Sequence, residues 1–315
     1  MFFSLGIQSE YLTLLSVNEK GIQAAGIRKL NRAFSMDSIR TQESFFAMIG
    51  DAFNSLVGEF VGKSGDIGIS LYNPMVMIKK IPIALGLGDE LIQQQMHWET
   101  QQFLLSPLDE YVITHQRLPY QTPSGNPFYL QVLVRRQIIK LLKEIVASKG
   151  MKLKEIDVDL FSCVRAVLSN YDLNPLGTTA LIEVQKDHLI FIFIHQNEYF
   201  LSNRISLKID PKQKSQSHIE INKILIKELR RFIFGHRLGK GIEDLDNVFL
   251  MGDYVIKDIL QELKSTIRTE IVNPFRRLRM ESVVSQSEML TQYPEKFTAS
   301  VGLAIKKVPA LLTDH

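Results

Sequence analysis

The side chains able to do covalent or metal chemistry in this 315-residue chain are few and scattered. The one cysteine, Cys163, lies in the apolar run Leu160-Phe161-Ser162-Cys163-Val164. A thiol there reads as a small buried hydrophobe, because a reactive cysteine needs positive charge nearby to hold its thiolate. A single cysteine also rules out an internal disulfide framework. The seven histidines show no ligand spacing of the H-x-x-x-H kind. Residues 58–64 run from a glycine to a serine but lack the Gly-Lys-Ser/Thr ending of a phosphate-binding P-loop. Gly86-Leu87-Gly88-Asp89 is a loop into a helix and reads as a turn with a cap rather than an anion site. Trp98-Glu99 reads as structural, with Trp98 packed and Glu99 capping or ion-paired.

The composition places the chain among ordinary globular proteins, with 45% hydrophobic and 23% charged residues. That is enough apolar material for two cores. The formal net charge of +3 is mild. Arg135-Arg136, Arg230-Arg231 and Arg276-Arg277 are isolated pairs and read as solvated faces, so nothing in the sequence calls for nucleic acid. The N-terminus has no basic region ahead of a long apolar stretch, as a signal peptide would need. The longest purely apolar run, Leu189 to Ile194, is strand-length, far below the roughly 18–20 residues that span a bilayer. A cytoplasmic location is expected, with any membrane role going through a partner.

Hydrophobic periodicity supplies the elements. Tyr11–Val17 and Ile22–Ile27 read as strands around the turn Asn18-Glu19-Lys20-Gly21. Gln42–Val61 reads as a helix, with Phe45, Met48, Ile49, Ala52, Phe53 and Leu56 on one side. Ile67–Leu71 and Val76–Pro82 read as strands, and Gly88-Asp89 opens a helix that runs to about Leu105. An extended stretch, Asp109–Leu118, precedes the turn at Thr122–Pro127 and the strand Phe128–Val134. The helix Gln137–Lys149 is striped by Ile138, Leu141, Leu142 and Ile145 and stops at Gly150. Leu153–Val158 reads as extended and Phe161–Asn170 as helical. The second half restarts in the same style, with strands Thr179–Glu183, His188–Ile194 and Tyr199–Leu207. It continues through a polar loop Asp210–Ser217, a helix Ile219–Phe234, a strand Val248–Gly252, a helix around Ile256–Leu263, a strand Ile267–Val272 and a small-residue helix at Ala299–Ala304. Both halves thus open strand–turn–strand and pass into a helix, the repeat of two ribonuclease-H-like lobes.

Several stretches in order resemble the PilM family, the actin-like cytoplasmic proteins of type IV pilus assembly related to FtsA. They are Lys79-Lys80-Ile81-Pro82, the helix carrying His97-Trp98-Glu99, the turn Pro107-Leu108-Asp109-Glu110 and the strand Val132-Leu133-Val134-Arg135-Arg136. Val158-Asp159-Leu160-Phe161, Asn273-Pro274-Phe275 and Ala299-Ser300-Val301-Gly302-Leu303-Ala304 complete the set. The resemblance covers nearly the whole chain. It implies an α/β actin-like ATPase fold of two lobes, each on a five-stranded mixed sheet, with an FtsA-type subdomain inserted in the first lobe. The first lobe would be residues 1–170, with the insert at about 78–155. The second would be 171–315, with a smaller helical subdomain at about 208–246.

The resemblance also marks three places where the family's nucleotide motifs are altered. Leu5-Gly6-Ile7-Gln8-Ser9-Glu10-Tyr11 stands where the family has L-D-I-G-S-S-S. Gly6 replaces the Asp that would orient Mg²⁺-bound water, and Gln8 replaces the glycine that lets the backbone approach a phosphate. Glu10 adds a like charge beside the expected anion. Leu181-Ile182-Glu183-Val184-Gln185 stands for L-V-D-I-G, with Glu183 keeping a carboxylate and Gln185 replacing glycine. Leu250-Met251-Gly252-Asp253-Tyr254 stands for the adenosine-side L-x-G-G-G. Gly6, Gln8, Ser9, Glu183, Gln185, Gly252 and Asp253 therefore mark a degenerate nucleotide pocket, with no catalytic residue, no metal ligand and no resident cofactor expected. The resemblance implies an adaptor that binds the N-terminal cytoplasmic peptide of a PilN-like inner-membrane protein in a groove near the insert. Motor ATPases of the pilus and further copies of the chain are other implied partners. Two alternatives stay open: an active ATPase using ATP and Mg²⁺ through divergent loops, and the GspL- or MSHA-type partner of a related secretion or pilus machine.

Overall fold

The computed structural model describes residues 1–33, 42–60, 65–207, 217–254 and 256–313. The first half runs β1 (Phe2–Ile7), β2 (Tyr11–Asn18), β3 (Gly21–Lys29), α1 (Gln42–Gly58), β4 (Asp66–Leu71), β5 (Val76–Pro82), α2 (Asp89–Gln101), β6 (Tyr111–Gln121), β7 (Pro127–Arg135), α3 (Arg136–Ala147), β8 (Lys152–Val158) and α4 (Asp159–Asn170). The second runs β9 (Thr178–Val184), β10 (His188–His195), β11 (Glu198–Ser206), α5 (Ser217–Gly235), β12 (Asn247–Gly252), α6 (Ile256–Leu263), β13 (Thr269–Ile271), the short helices α7 (Ser282–Ser285) and α8 (Glu288–Gln292), and α9 (Thr298–Lys307).

Two five-stranded sheets carry one topology. The first has the order β3-β2-β1-β4-β8 and the second β11-β10-β9-β12-β13. In each, an antiparallel meander supplies three strands and two parallel strands follow. In the meanders β1, β2, β9 and β10 are buried at nearly every position, as strands covered on both faces require, whereas the outer strands β3 and β11 carry exposed polar residues. The β2–β3 turn closes when Asn18 Oδ1 accepts the Lys20 amide (2.8 Å). Gly21 there has φ +141°, and a Cβ on it would lie 2.6 Å from the Arg279 carbonyl, so the turn also docks the far end of the chain.

A third, smaller sheet of order β5-β7-β6 is inserted between β4 and β8. Helix α3, read from the sequence as part of the insert, buries Ile138, Leu142 and Val146 in the same core as Phe53 and Ile69 of the first lobe. The inserted sheet itself thus spans Val76 to Arg135. Helix α5 buries Ile221, Leu225, Leu229 and Phe232 against the second sheet. The polar stretch 210–217, read as a loop, lies outside the described residues except for its last position, which opens α5. The strand expected over Ile267–Val272 shortens to Thr269–Ile271, because the Ile267 amide still donates to the Leu263 carbonyl (3.0 Å) as α6 ends.

The two lobes exchange their last helices. Helix α9 comes from the second half but lies on β1, β2 and β4, and α4 from the first half reaches β10 and β11. The two helices pack on each other so closely that a Cβ on Gly302 would stand 1.7 Å from the Ser162 carbonyl. Arg165 fastens the pair, donating to the Gly302 carbonyl and to Asp157, each at 3.0 Å.

Candidate functional site

The ends of β1, β9 and β12 bring the three altered motifs to one place between the lobes. Gly6 is the fifth residue of β1, opposite Thr13 in the ladder. A Cβ there would meet Thr13 Oγ1 at 2.6 Å and the Ser300 amide at 3.4 Å. The space beside Gly6 is filled by α9, so glycine is what this strand needs for packing. Gln8 follows in the β1–β2 turn, where its amide donates to the Tyr11 carbonyl (3.0 Å). Its side chain points across the interface, and Nε2 donates to the Lys296 carbonyl (2.8 Å).

Ser9 is buried and hydrogen bonds Tyr72, which lies just after β4 and is itself fully buried. The Tyr72 hydroxyl lies 2.8 Å from His188 Nε2 at the start of β10. Asp187 Oδ1 is 2.7 Å from Nδ1 of the same ring and accepts a hydrogen bond from its N–H, which leaves Nε2 to accept from Tyr72. Burial and the nearby Arg204 charge hold His188 below its ordinary pKa, so the ring is neutral. A relay Ser9–Tyr72–His188–Asp187 thereby joins the first altered loop to the second.

Within the second loop, Gln185 Nε2 donates to Glu183 Oε1 (2.9 Å), and both side chains are buried. Burial pushes Glu183 up to about 7. The third motif approaches the second through Gly252, at φ +118°, where a Cβ would lie 2.2 Å from the Val184 carbonyl. The Asp253 amide then donates to that carbonyl (3.1 Å). Asp253 Oδ1 pairs with Lys296 Nζ at 2.6 Å, whereas Oδ2 is buried with no hydrogen-bond partner. Lys296 also stands 4.9 Å over the Tyr11 ring. Beside it, burial raises Glu295 to about 7, and burial with the Glu183 charge raises Asp159 well above the carboxylate range. The charges of Asp253, Glu183 and Glu295 all bear on the buried Tyr11 hydroxyl.

At this interlobe site Gln8, Ser9, Glu183, Gln185 and Asp253 take part in the contacts, Gly252 brings Asp253 against β9, and Gly6 packs against α9. Side chains that the sequence did not single out hold the cleft walls together: Tyr11, Tyr72, His188, Glu295 and Lys296. A signal for one of them existed, since His188 opens the unbroken apolar run Leu189–Ile194. Cys163 is free and buried in the first core. Trp98 departs from its expected packing. Helix α2 turns Met96 and Thr100 inward, and Trp98, two residues on from Met96, is carried to the outer face at 58% exposure.

Away from the cleft, a groove of about 400 Å³ runs between the inserted sheet and the first lobe. Val132, Leu130 and Thr114 of β7 and β6 form one side, and Ile156 of β8, Phe161 of α4 and Lys306 of α9 the other. Strands β6 and β8 are each the last in their sheets.

Two ribonuclease-H-like lobes around such a cleft define a protein of the actin-like ATPase fold. No family model matches the sequence, and no curated protein matches it. Among solved structures, the chain is similar to that of a PilM–PilN type IV pilus biogenesis complex, with a TM-score of 0.74 and 17% identity, over 97% of this chain and 98% of that one. It also matches the cytoplasmic domain of EpsL, an inner-membrane component of the Vibrio cholerae type II secretion system, at TM-score 0.48 and 10% identity, over 97% and 94% of the two chains. A Bacteroides thetaiotaomicron protein of actin-like ATPase fold and unknown function matches at TM-score 0.47 and 13% identity, over 91% and 96%. At these identities the likeness is one of fold. Among the described residues, no helix is long and apolar enough to cross a membrane.

Proposed function

We propose that this chain is a scaffold that holds an extended segment of an inner-membrane assembly partner, of the kind PilN represents in the complex it resembles, and that it works without turning over nucleotide. The observation that carries the reading is the wiring of the cleft. Gln8 donates to the carbonyl of Lys296, whose Nζ pairs with Asp253, and Tyr72 bonds His188 across the lobes. The residues present do not fit Mg-ATP. An Asp at position 6 has no room beside Thr13 and Ser300. Glu183, Glu295 and Asp159 are carboxyls whose burial already penalises charge, and a triphosphate would add more of the same sign. The cation at the centre, Lys296, is already engaged.

The groove between β6 and β8 is the complementary feature. A peptide laid between two terminal strands can add main-chain hydrogen bonds to an edge while an apolar side chain enters between Val132 and Phe161. Thr114 is exposed in that wall, so Thr114→Arg fills the groove without opening a core. The test is titration with the N-terminal cytoplasmic peptide of the neighbouring inner-membrane protein. Binding in the range of about 1–100 μM that Thr114→Arg abolishes is expected. No binding to that peptide or to the full cytoplasmic tail would overturn the scaffold reading. Separately, calorimetry with Mg-ATP decides the nucleotide part, and micromolar binding with turnover would reject it.

A further inference from the structure

The Arg230-Arg231 pair reads from the sequence as an isolated solvated face, but the structure places it in a longer surface. At 100° per residue, Lys223, Lys227, Arg230, Arg231 and Phe234 of α5 fall within an arc of about 100°. All five are exposed. The arc lies opposite Leu225, Leu229 and Phe232, which enter the second core. Phe234 sits near its middle with 73% of its surface exposed, a placement that neither packing nor solubility accounts for. Among these cations, Arg231 pairs with Glu228 at 2.6 Å, and that carboxylate belongs to the buried side. Glu220 is the one acidic residue within the arc, at its N-terminal end.

The helix ends in a second unusual feature. The Leu238 amide donates to the Ile233 carbonyl (2.9 Å), closing the final turn, and Arg237 takes the left-handed cap position at φ +57°. Glycine is the default there, and any other residue is strained. A cation held at that strained position extends the basic arc past the end of the helix.

We propose that the outer face of α5 is a contact surface for an anionic lipid bilayer, with Phe234 entering the headgroup region and the surrounding Lys and Arg side chains meeting lipid phosphates. The charge is complementary to such a surface, and the long aliphatic stems of these residues suit its boundary. A lone phenylalanine on a convex helix favours a bilayer over nucleic acid. Among the described residues no ring contact sets a second aromatic beside it to sandwich a base, whereas an interface of headgroups and acyl chains takes up an apolar ring. This contact is separate from any peptide held in the β6–β8 groove.

Vesicle flotation tests the proposal with the full chain. Vesicles of 30% phosphatidylglycerol in phosphatidylcholine should carry the protein at low salt. Pure phosphatidylcholine vesicles should not, and high salt should release it. Phe234→Ser and the double change Lys227→Glu with Arg230→Glu should each lower the bound fraction several-fold while thermal unfolding stays unchanged. Arg237→Gly gives a second readout: relief of the strained cap raises the melting temperature while bound protein falls. Absence of flotation on anionic vesicles, equal flotation on neutral ones, or a Phe234→Ser protein that binds vesicles as well as the original would each overturn the proposal. So would a DNA duplex that displaces the protein from vesicles and binds Phe234→Ser undiminished, since the arc would then be a generic polyanion surface.

Discussion

Glu183 shows how burial at a strand end moves the titration of a carboxyl. Its carboxyl is 5% exposed, accepts from Gln185, and is held at about 7 by burial. In the unfolded chain the same group titrates near 4.5. Below that pH it is neutral in both states and costs the fold nothing. As pH rises from about 4.5 to 7 the unfolded state releases its proton first, so stability falls through that window and levels off above it. Charging the buried group costs on the order of 3 kcal/mol by pH 8. Glu183→Gln keeps an acceptor for Gln185 and removes the charge. It should raise stability at pH 8 by roughly 1–3 kcal/mol and leave it nearly unchanged at pH 4.5, as read by denaturant unfolding at the two pH values. Glu295, also at about 7, preserves part of the slope. Gly6→Asp argues the opposite case. It places an Asp where the PilM family, which the sequence resembles, has one, but puts a Cβ 2.6 Å from Thr13 Oγ1 and a carboxyl into a buried strand. A loss of about 3 kcal/mol or more and no gain in Mg-ATP binding by calorimetry are expected.

Among the elements, the pair α4 and α9 decides whether the two halves form one body. Gly302 is the contact point, and the Ser162 main chain lies where its Cβ would go. Gly302→Ala therefore gains helix propensity but must push the helices apart, loosening Ala299 from the first core and Val301 and Ala304 from the cluster around Phe275 and Phe297. A net loss of about 2–4 kcal/mol in thermal unfolding is expected, and unchanged or increased stability would show that the helices part at no cost. That α9 is a small-residue helix was legible in Ala299–Ala304. Its place on the opposite lobe was not, because periodicity reports which face is apolar and not what covers it. Five of the six meander strands were legible to within two residues, whereas β1 was not read as a strand because its end was taken for a loop. Trp98 misled for the converse reason: a large aromatic promises burial, but its position two residues after Met96 turned it outward. The cleft was half legible. Its loops lie at strand ends that the sequence marks, whereas Gln8–Lys296 and Tyr72–His188 join residues 288 and 116 positions apart, and no local pattern records such pairs.

At the scale of the whole molecule, three ties among the described residues join the lobes at the cleft and the insert, besides the exchanged helices. Gln8–Lys296 and Tyr72–His188 close the cleft. The third tie runs from the insert: the Tyr120 hydroxyl donates to the His195 carbonyl (2.5 Å), and Lys80 Nζ sits over the Phe128 and Phe200 rings at 4.4 and 4.3 Å. An actin-like fold that opens and closes on nucleotide must break such contacts in each cycle, and each broken one strands a buried polar group. The proposed scaffold role would use these ties to keep the lobes in one geometry around the β6–β8 groove. Tyr72→Phe tests this directly. It removes one hydroxyl at constant shape and leaves His188 Nε2 buried without a donor, at a cost of about 1–3 kcal/mol. If the lobes are held by this tie, amide exchange should speed up in the β1–β2 and β9–β10 turns together, although 116 residues separate the two side chains. Exchange that rises in only one turn would mean that Tyr72 supports its own lobe alone. A wild-type protein whose exchange in both turns slows on adding Mg-ATP would mean that the cleft still opens to nucleotide and closes on it.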